Sequence, residues 1–234
     1  DDVKPESIPN PFKGLEAFQQ TDSRFFFGRE DLVRKALNII GAKRSTRFLA
    51  VVGASGSGKS SLVRAGVIPQ LRAGKLPKSE SWRVAIFTPG ADPIEALATR
   101  LSPLLGENYT QDGIEDHLRR GGANVSGYAE LPSPDASPDI RLLLVVDQFE
   151  EVFTRAPEDT ADLFIKLLHD AAILPDGRVQ ILITMRADFF DRLWRYPELA
   201  ELFEQENLII ATEMTPANLL RSIEGPAKAV GLIY

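Results

Sequence analysis

Residues 47–61 read RFLAVVGASGSGKSS: an apolar run that opens directly into Gly53, Ala54, Ser55, Gly56, Ser57, Gly58, Lys59 and Ser60. The stretch fits G-x-x-x-x-G-K-[ST], the pattern of a loop that wraps phosphates. Each part has a physical reason. A buried strand over 48–52 supplies a rigid edge that aims the loop. The glycines let the backbone turn its N–H groups inward toward phosphate oxygens. Lys59 reaches the outer phosphates, and the Ser60 hydroxyl is placed to ligate Mg2+. A helix predicted over 58–73, with Ser61 in its first turn, adds the positive end of its dipole.

Composition narrows the function classes. The chain has 234 residues, enough for one large α/β domain, and carries a net charge of −6. A duplex-binding domain is more often basic, so nucleic acid is disfavoured as a partner. Cysteine is absent, which removes disulfides, thiolate catalysis and thiolate metal sites. His117 and His169 lie far apart and lack ligand spacing. No apolar run reaches the length of a membrane span, and the acidic, Pro-containing start is no signal peptide. The first residue is not Met, so the expectation is a piece of a longer, cytoplasmic protein.

Along the chain, residues 1–23 read as an arm or linker, with Phe12, Leu15 and Phe18 expected to pack on the domain. Residues 24–214 read as the core, and 215–234 as the truncated start of a helical subdomain. A helix is predicted over 31–40, closed by Gly41. Phe25, Phe26 and Phe27 precede Gly28-Arg29-Glu30, a tight turn suited either to core anchoring or to holding a base. A strand over 82–90 follows, then a helix over 93–105 with Asp92 as its cap. Residues 106–140 are rich in Gly, Pro, Ser and Asp, and read as an insertion or mobile loop around a short helix at IEDHLRR.

The second chemical stretch is RLLLVVDQFEEVF, 141–153. Its continuous apolar run predicts a strand buried on both faces, ending in Asp147. Open α/β sheets place ligand chemistry at that end of a strand. Asp147 can hold Mg2+ opposite Ser60. Glu150 or Glu151 can serve as general base for an attacking water, with the choice between them open. A helix is predicted over 158–174. The strand over 179–186 ends in Arg186, read as a γ-phosphate sensor, with a salt bridge to Asp188 as the alternative. Residues 188–206 read as an amphipathic helix with Phe189, Phe190, Leu193 and Trp194 in the core. A last strand over 207–214 precedes a helix opened by Thr215-Pro216 and interrupted at Gly225-Pro226. Strands alternating with helices predict a parallel sheet with right-handed crossovers.

FFGRE at 26–30, GASGSGKS at 53–60, LLLVVDQFEE at 142–151 and LITMR at 182–186 together resemble the STAND class of P-loop NTPases. The group most similar is the novel STAND NTPases, often fused to WD-repeat propellers and related to the NACHT and AP-ATPase groups. The resemblance implies a three-layer α/β/α sandwich on a five-stranded parallel sheet in the order 5-1-4-3-2. It implies ATP or ADP with Mg2+. Phe27, Gly28 and Arg29 would lie against adenine, and Gly53 to Ser61 would hold the phosphates. Ser60 and Asp147 would hold the metal, with Lys59, Glu150, Glu151 and Arg186 as catalytic groups. It further implies a slow regulatory switch, effector and sensor domains fused in the full-length chain, and homo-oligomerisation when active. Two other readings fit the same loop: a DNA-handling ATPase of the initiator or clamp-loader kind, separable by salt-dependent DNA affinity, and a nucleotide or small-molecule kinase, separable by transfer to an acceptor.

Overall fold

The computed structural model describes residues 10–14, 16–42, 46–120, 125–130, 140–203 and 205–232. Five strands form one sheet: β1 (Phe48–Gly53), β2 (Arg83–Phe87), β3 (Leu142–Val146), β4 (Val179–Arg186) and β5 (Leu208–Ile210). All four pairings are parallel, and the spatial order is β2-β3-β4-β1-β5. Read from the other edge this is 5-1-4-3-2, as the resemblance implied. The registers bring Gly53 opposite Arg186 and Val146 opposite Ile183. The C-terminal ends of β1, β3 and β4 therefore open on one side.

Before β1 comes α1 (Glu30–Gly41), and between the strands run α2 (Lys59–Ser61), α3 (Ile68–Arg72), α4 (Pro93–Leu105), α5 (Gln111–Arg119) and α6 (Val125–Glu130). Then follow α7 (Glu151–Thr154), α8 (Glu158–Ile173), α9 (Pro197–Leu202) and α10 (Pro216–Ala229). A π-helical stretch, Leu62–Val67, joins α2 to α3. Alternation along β1 explains the layers, because successive side chains leave opposite faces. Phe48, Ala50 and Val52 enter one core with α4 and α8; Leu49 and Val51 enter the other with α1, the π-helical stretch and α3. Both faces are covered, so β1 and β3 are apolar along their length, while the middle strand β4 also buries Gln180 and Thr184.

Several local expectations are corrected. In 106–140 the short helix expected at IEDHLRR is α5, begun three residues earlier, and a second helix, α6, is unexpected. Ile114, Leu118, Val125 and Tyr128 bury into the α4–α8 core, which an apolar face at helical spacing can do despite Gly-rich flanks. Residues 187–195 form a 3₁₀-helix. Three residues per turn put Trp194 in line with exposed Asp191 and off the line of buried Leu193, and Trp194 is 84% exposed; Phe190 is exposed with its ring edge-on to Phe203. Leu193 and, in part, Phe189 pack inward as expected. The last strand is short, and α10 runs through Gly225-Pro226 without interruption. Thr215 caps that helix by accepting from the Asn218 N–H. Gly41 is the last helical residue and Ala42 closes the helix. Of the arm, Phe18 packs edge-on against Phe26 at 6.1 Å; Leu15 lies outside the described residues.

Candidate functional site

The loop from Gly53 to Ser60 turns on two left-handed glycines, Gly56 (φ 74°) and Gly58 (φ 84°). Its close approach to the β5 exit is set at Gly53, where a Cβ would come within 2.6 Å of the Ala211 carbonyl oxygen. Lys59, nearly buried, donates from Nζ to the carbonyls of Gly53 (3.0 Å) and Ala54 (2.8 Å). Burial holds its ammonium below the ordinary lysine range. Glu150 opposes that shift most among its charged neighbours, while Arg186 adds to it. Desolvation is the larger effect, because a charge leaving water loses more than partly screened partners return. The Ser57 hydroxyl is buried in this loop with no hydrogen-bond partner among the described residues.

Asp147, just past the tip of β3, accepts four side-chain hydrogen bonds. Its Oδ1 accepts from Ser60 Oγ (2.8 Å) and Thr184 Oγ1 (2.6 Å). Its Oδ2 accepts from Arg64 Nε (3.1 Å) and Nη2 (2.9 Å). The sheet produces this geometry: β3 and β4 are neighbours, and Thr184 follows directly on Ile183, the partner of Val146. Thr184 also accepts from the Gln148 N–H at 3.0 Å, and its carbonyl accepts from the Phe149 N–H at 2.8 Å. These bonds hold Gln148 at φ 57°, uncommon for a residue other than glycine.

The other expected residues sort by position. The Glu150 carboxylate accepts from the Arg186 backbone N–H at 3.3 Å and faces the Lys59 side. Glu151 points elsewhere, accepting from Gly90 N–H (3.0 Å) and pairing with Arg155 (3.2 Å). Arg186 is bound by Asp188 through Nε (3.0 Å) and Nη2 (2.6 Å), the alternative that its sequence context offered. That pair raises the guanidinium's pKa and lowers the Asp188 carboxyl's. Arg29 reaches the Ser57 carbonyl (3.2 Å) in the middle of the loop, and its burial pushes its pKa down. Ser61 Oγ accepts from the Phe18 N–H of the arm at 3.1 Å. Sequence reasoning missed Arg64, Thr184 and the arm residue Gln19. Arg64 was within reach of it, since a residue four beyond Ser60 shares its helix face.

Behind the loop lies a cleft of about 720 Å³, within the range of small-molecule sites. Phe25, Phe26 and Phe27 line it together with Phe18, Met214 and Ser222, and Gly56, Gly58, Lys59 and Ser60 of the loop line it too. Gly28 sits at φ 83° with α10 close against it: a Cβ there would lie 2.3 Å from the Asn218 carbonyl oxygen. Gly225 likewise leaves room for the Phe27 ring, 2.5 Å from where its Cβ would be. Glu30 accepts from the Gly28 N–H (3.1 Å) and pairs with Arg221 of α10 (3.1 Å). The donor set of a serine hydroxyl and a carboxylate suits a hard cation such as Mg2+. Among the described residues there is no cluster of three His, Cys, Asp or Glu that could hold a metal alone, and no helix is long and apolar enough to cross a membrane.

Three solved structures share the fold. The Walker-type ATPase paby2304 of Pyrococcus abyssi matches with a TM-score of 0.59 at 12% identity, over 93% of this chain and 62% of that one. The ORC2 protein of Aeropyrum pernix, solved as ADPNP–ADP complexes, gives 0.53 at 18%, over 86% and 50%. Cdc6p from Pyrobaculum aerophilum gives 0.52 at 14%, over 97% and 52%. The chain thus spans half to three-fifths of their lengths, and at such identity the likeness establishes the fold alone. No curated protein sequence matches significantly. The family model for Novel STAND NTPase 1 matches residues 11–234, and the chain belongs to that family of P-loop NTPases.

Proposed function

We propose that the chain is the ATP-dependent switch module of a larger signalling protein, using Mg2+ and turning over slowly. The observation that carries this reading is that Lys59 and Ser60 line the Phe-lined cleft while the Ser60 hydroxyl donates to Asp147 at 2.8 Å. The base would lie against Phe27 and Gly28, between the arm and α10. Phosphates would sit on the N–H groups of Gly53 to Ser61, with Lys59 turning from its own loop's carbonyls to the outer phosphates. The buried Ser57 hydroxyl gains a partner in the same step.

Ser60 and Asp147 would hold Mg2+, which supplies charge neutralisation for the leaving diphosphate. Glu150 is the better placed base, because Glu151 is engaged by Gly90 and Arg155. Glu150 takes a proton from a water whose oxygen bonds to the γ-phosphorus, while the bond to the bridging oxygen breaks. Arg186 would have to exchange Asp188 for the γ-phosphate, and that exchange is a contact differing between triphosphate and diphosphate states. A switch needs such a difference. Movement of α10 and oligomerisation through fused effector and sensor domains would follow from it.

The test is calorimetric titration of ATP with Mg2+ into wild type and Lys59→Ala. Binding in the wild type and its loss in the variant is expected; undiminished affinity in Lys59→Ala removes the reading. The DNA-handling alternative predicts DNA affinity that falls steeply with salt, which the net charge of −6 opposes.

A further inference from the structure

We infer that Arg64 is a positioning residue that couples the metal-side carboxylate to the N-terminal arm, so that Mg2+ at Asp147 loosens the arm over the cleft. The inference rests on the nucleotide-and-metal reading above and adds a residue and a connection to it. A single guanidinium makes both contacts. Nε and Nη2 donate to Asp147 Oδ2 at 3.1 and 2.9 Å, while Nη1 donates to Gln19 Oε1 at 3.1 Å. The Gln19 amide is fixed from its other end, where Nε2 donates to the Ala17 carbonyl at 2.9 Å. One residue earlier, the Phe18 N–H donates to Ser61 Oγ. Residues 17–19 are thus tied to the helix that follows the phosphate loop at two points, Ser61 and Arg64.

The backbone supports the arrangement. Arg64 lies in the π-helical stretch Leu62–Val67, a rare widening that recurs at functional sites. It stands four positions beyond Ser60, so both side chains reach the same carboxylate from one helix face. The pair is well shielded: the Asp147 side chain is 4% exposed and that of Arg64 25%. Two cations on one carboxylate each weaken the other's hold, because each neutralises the charge that attracts its rival. Mg2+ drawn to Asp147 therefore slackens Arg64, and Arg64 is what steadies Gln19. Linkage makes the effect reciprocal: an arm held down keeps Arg64 on Asp147 and raises the Mg2+ concentration needed. An ion pair with a purely structural role would leave the arm indifferent to Mg2+.

The experiment follows hydrogen exchange at the amides of residues 16–19 with ADP bound, in EDTA and in Mg2+. In the wild type Mg2+ is expected to speed exchange by about fivefold, the low end of ordinary coupling. Arg64→Lys keeps a charge for Asp147 but cannot also span to Gln19. Gln19→Ala removes the arm's side of the bridge at an exposed position. In both variants the Mg2+-dependent difference should vanish, and the Mg2+ midpoint for ADP binding should fall. If Arg64→Lys does not fold, Gln19→Ala decides the matter alone. Retention of the difference in Gln19→Ala overturns the inference. So does wild-type protein that binds ADP with arm exchange unchanged by Mg2+. Protein that binds no ADP in either condition overturns the nucleotide reading, and this inference with it.

Discussion

Replacing Thr184 with Val tests whether Asp147 is held by the sheet or only by its loop. Valine keeps the branched shape and strand preference but removes the hydroxyl. Two bonds go: the 2.6 Å donation to Asp147 Oδ1 and the acceptance from the Gln148 N–H at 3.0 Å. A hydrogen bond to a charged group contributes about 1.5–3 kcal/mol and a neutral one about 1 kcal/mol. Thr184 is 1% exposed, so water cannot replace either. The combined cost is about 3 kcal/mol, and for a chain of this length each kcal/mol moves Tm by about 2–4 °C, giving a drop of about 6–12 °C. Thermal unfolding followed by circular dichroism reads this directly. Thr184→Ser restores the hydroxyl and should recover most of the loss. A Tm within about 2 °C of wild type for Thr184→Val would refute the reasoning, since Asp147 would then be oriented without β4.

Gly28→Ala places a methyl 2.3 Å from the Asn218 carbonyl at a positive φ, so α10 must shift; proteolysis should release α10 sooner, and nucleotide affinity should fall. Trp194→Ser should change stability by less than about 0.5 kcal/mol in urea titration, because the side chain stands in solvent. Acid should free the arm. The Gln19 N–H (2.9 Å) holds the Asp22 carboxyl below its ordinary range, against the opposing effect of burial, and the Lys13 ammonium at 3.0 Å adds to the lowering. A depressed carboxyl contributes stability above its unfolded pKa and loses it as pH falls through the folded value. The Phe18 amide resonance should therefore move as pH drops below the ordinary carboxylate range, and Asp22→Asn should remove that step.

Much of this molecule is legible in its sequence. Continuous apolar runs ending in Gly53, Asp147 and Arg186 identify buried parallel strands, and the same runs deliver chemistry to one edge. Asp92 and Thr215 announce their helices because their side chains cap them. The failures have physical causes. Trp194 looks buried only if 187–195 winds at 3.6 residues per turn, and it winds at three. Gly225-Pro226 looks like a break, yet the glycine is there to admit the Phe27 ring. The α6 helix is obscured by flanking Gly and Ser, though Val125 and Tyr128 give it an apolar face. Thr184 is hidden for another reason. Its importance lies in what it touches on the neighbouring strand, and single-chain periodicity carries no cross-strand information.

A crystal structure grown with Mg2+ and a non-hydrolysable ATP analogue tests the central claim most directly. The account predicts the base beside Phe27 and α10, phosphates on the backbone of Gly53 to Ser61, and the metal between Ser60 and Asp147. A nucleotide bound elsewhere, or a metal that bypasses both Ser60 and Asp147, would contradict it.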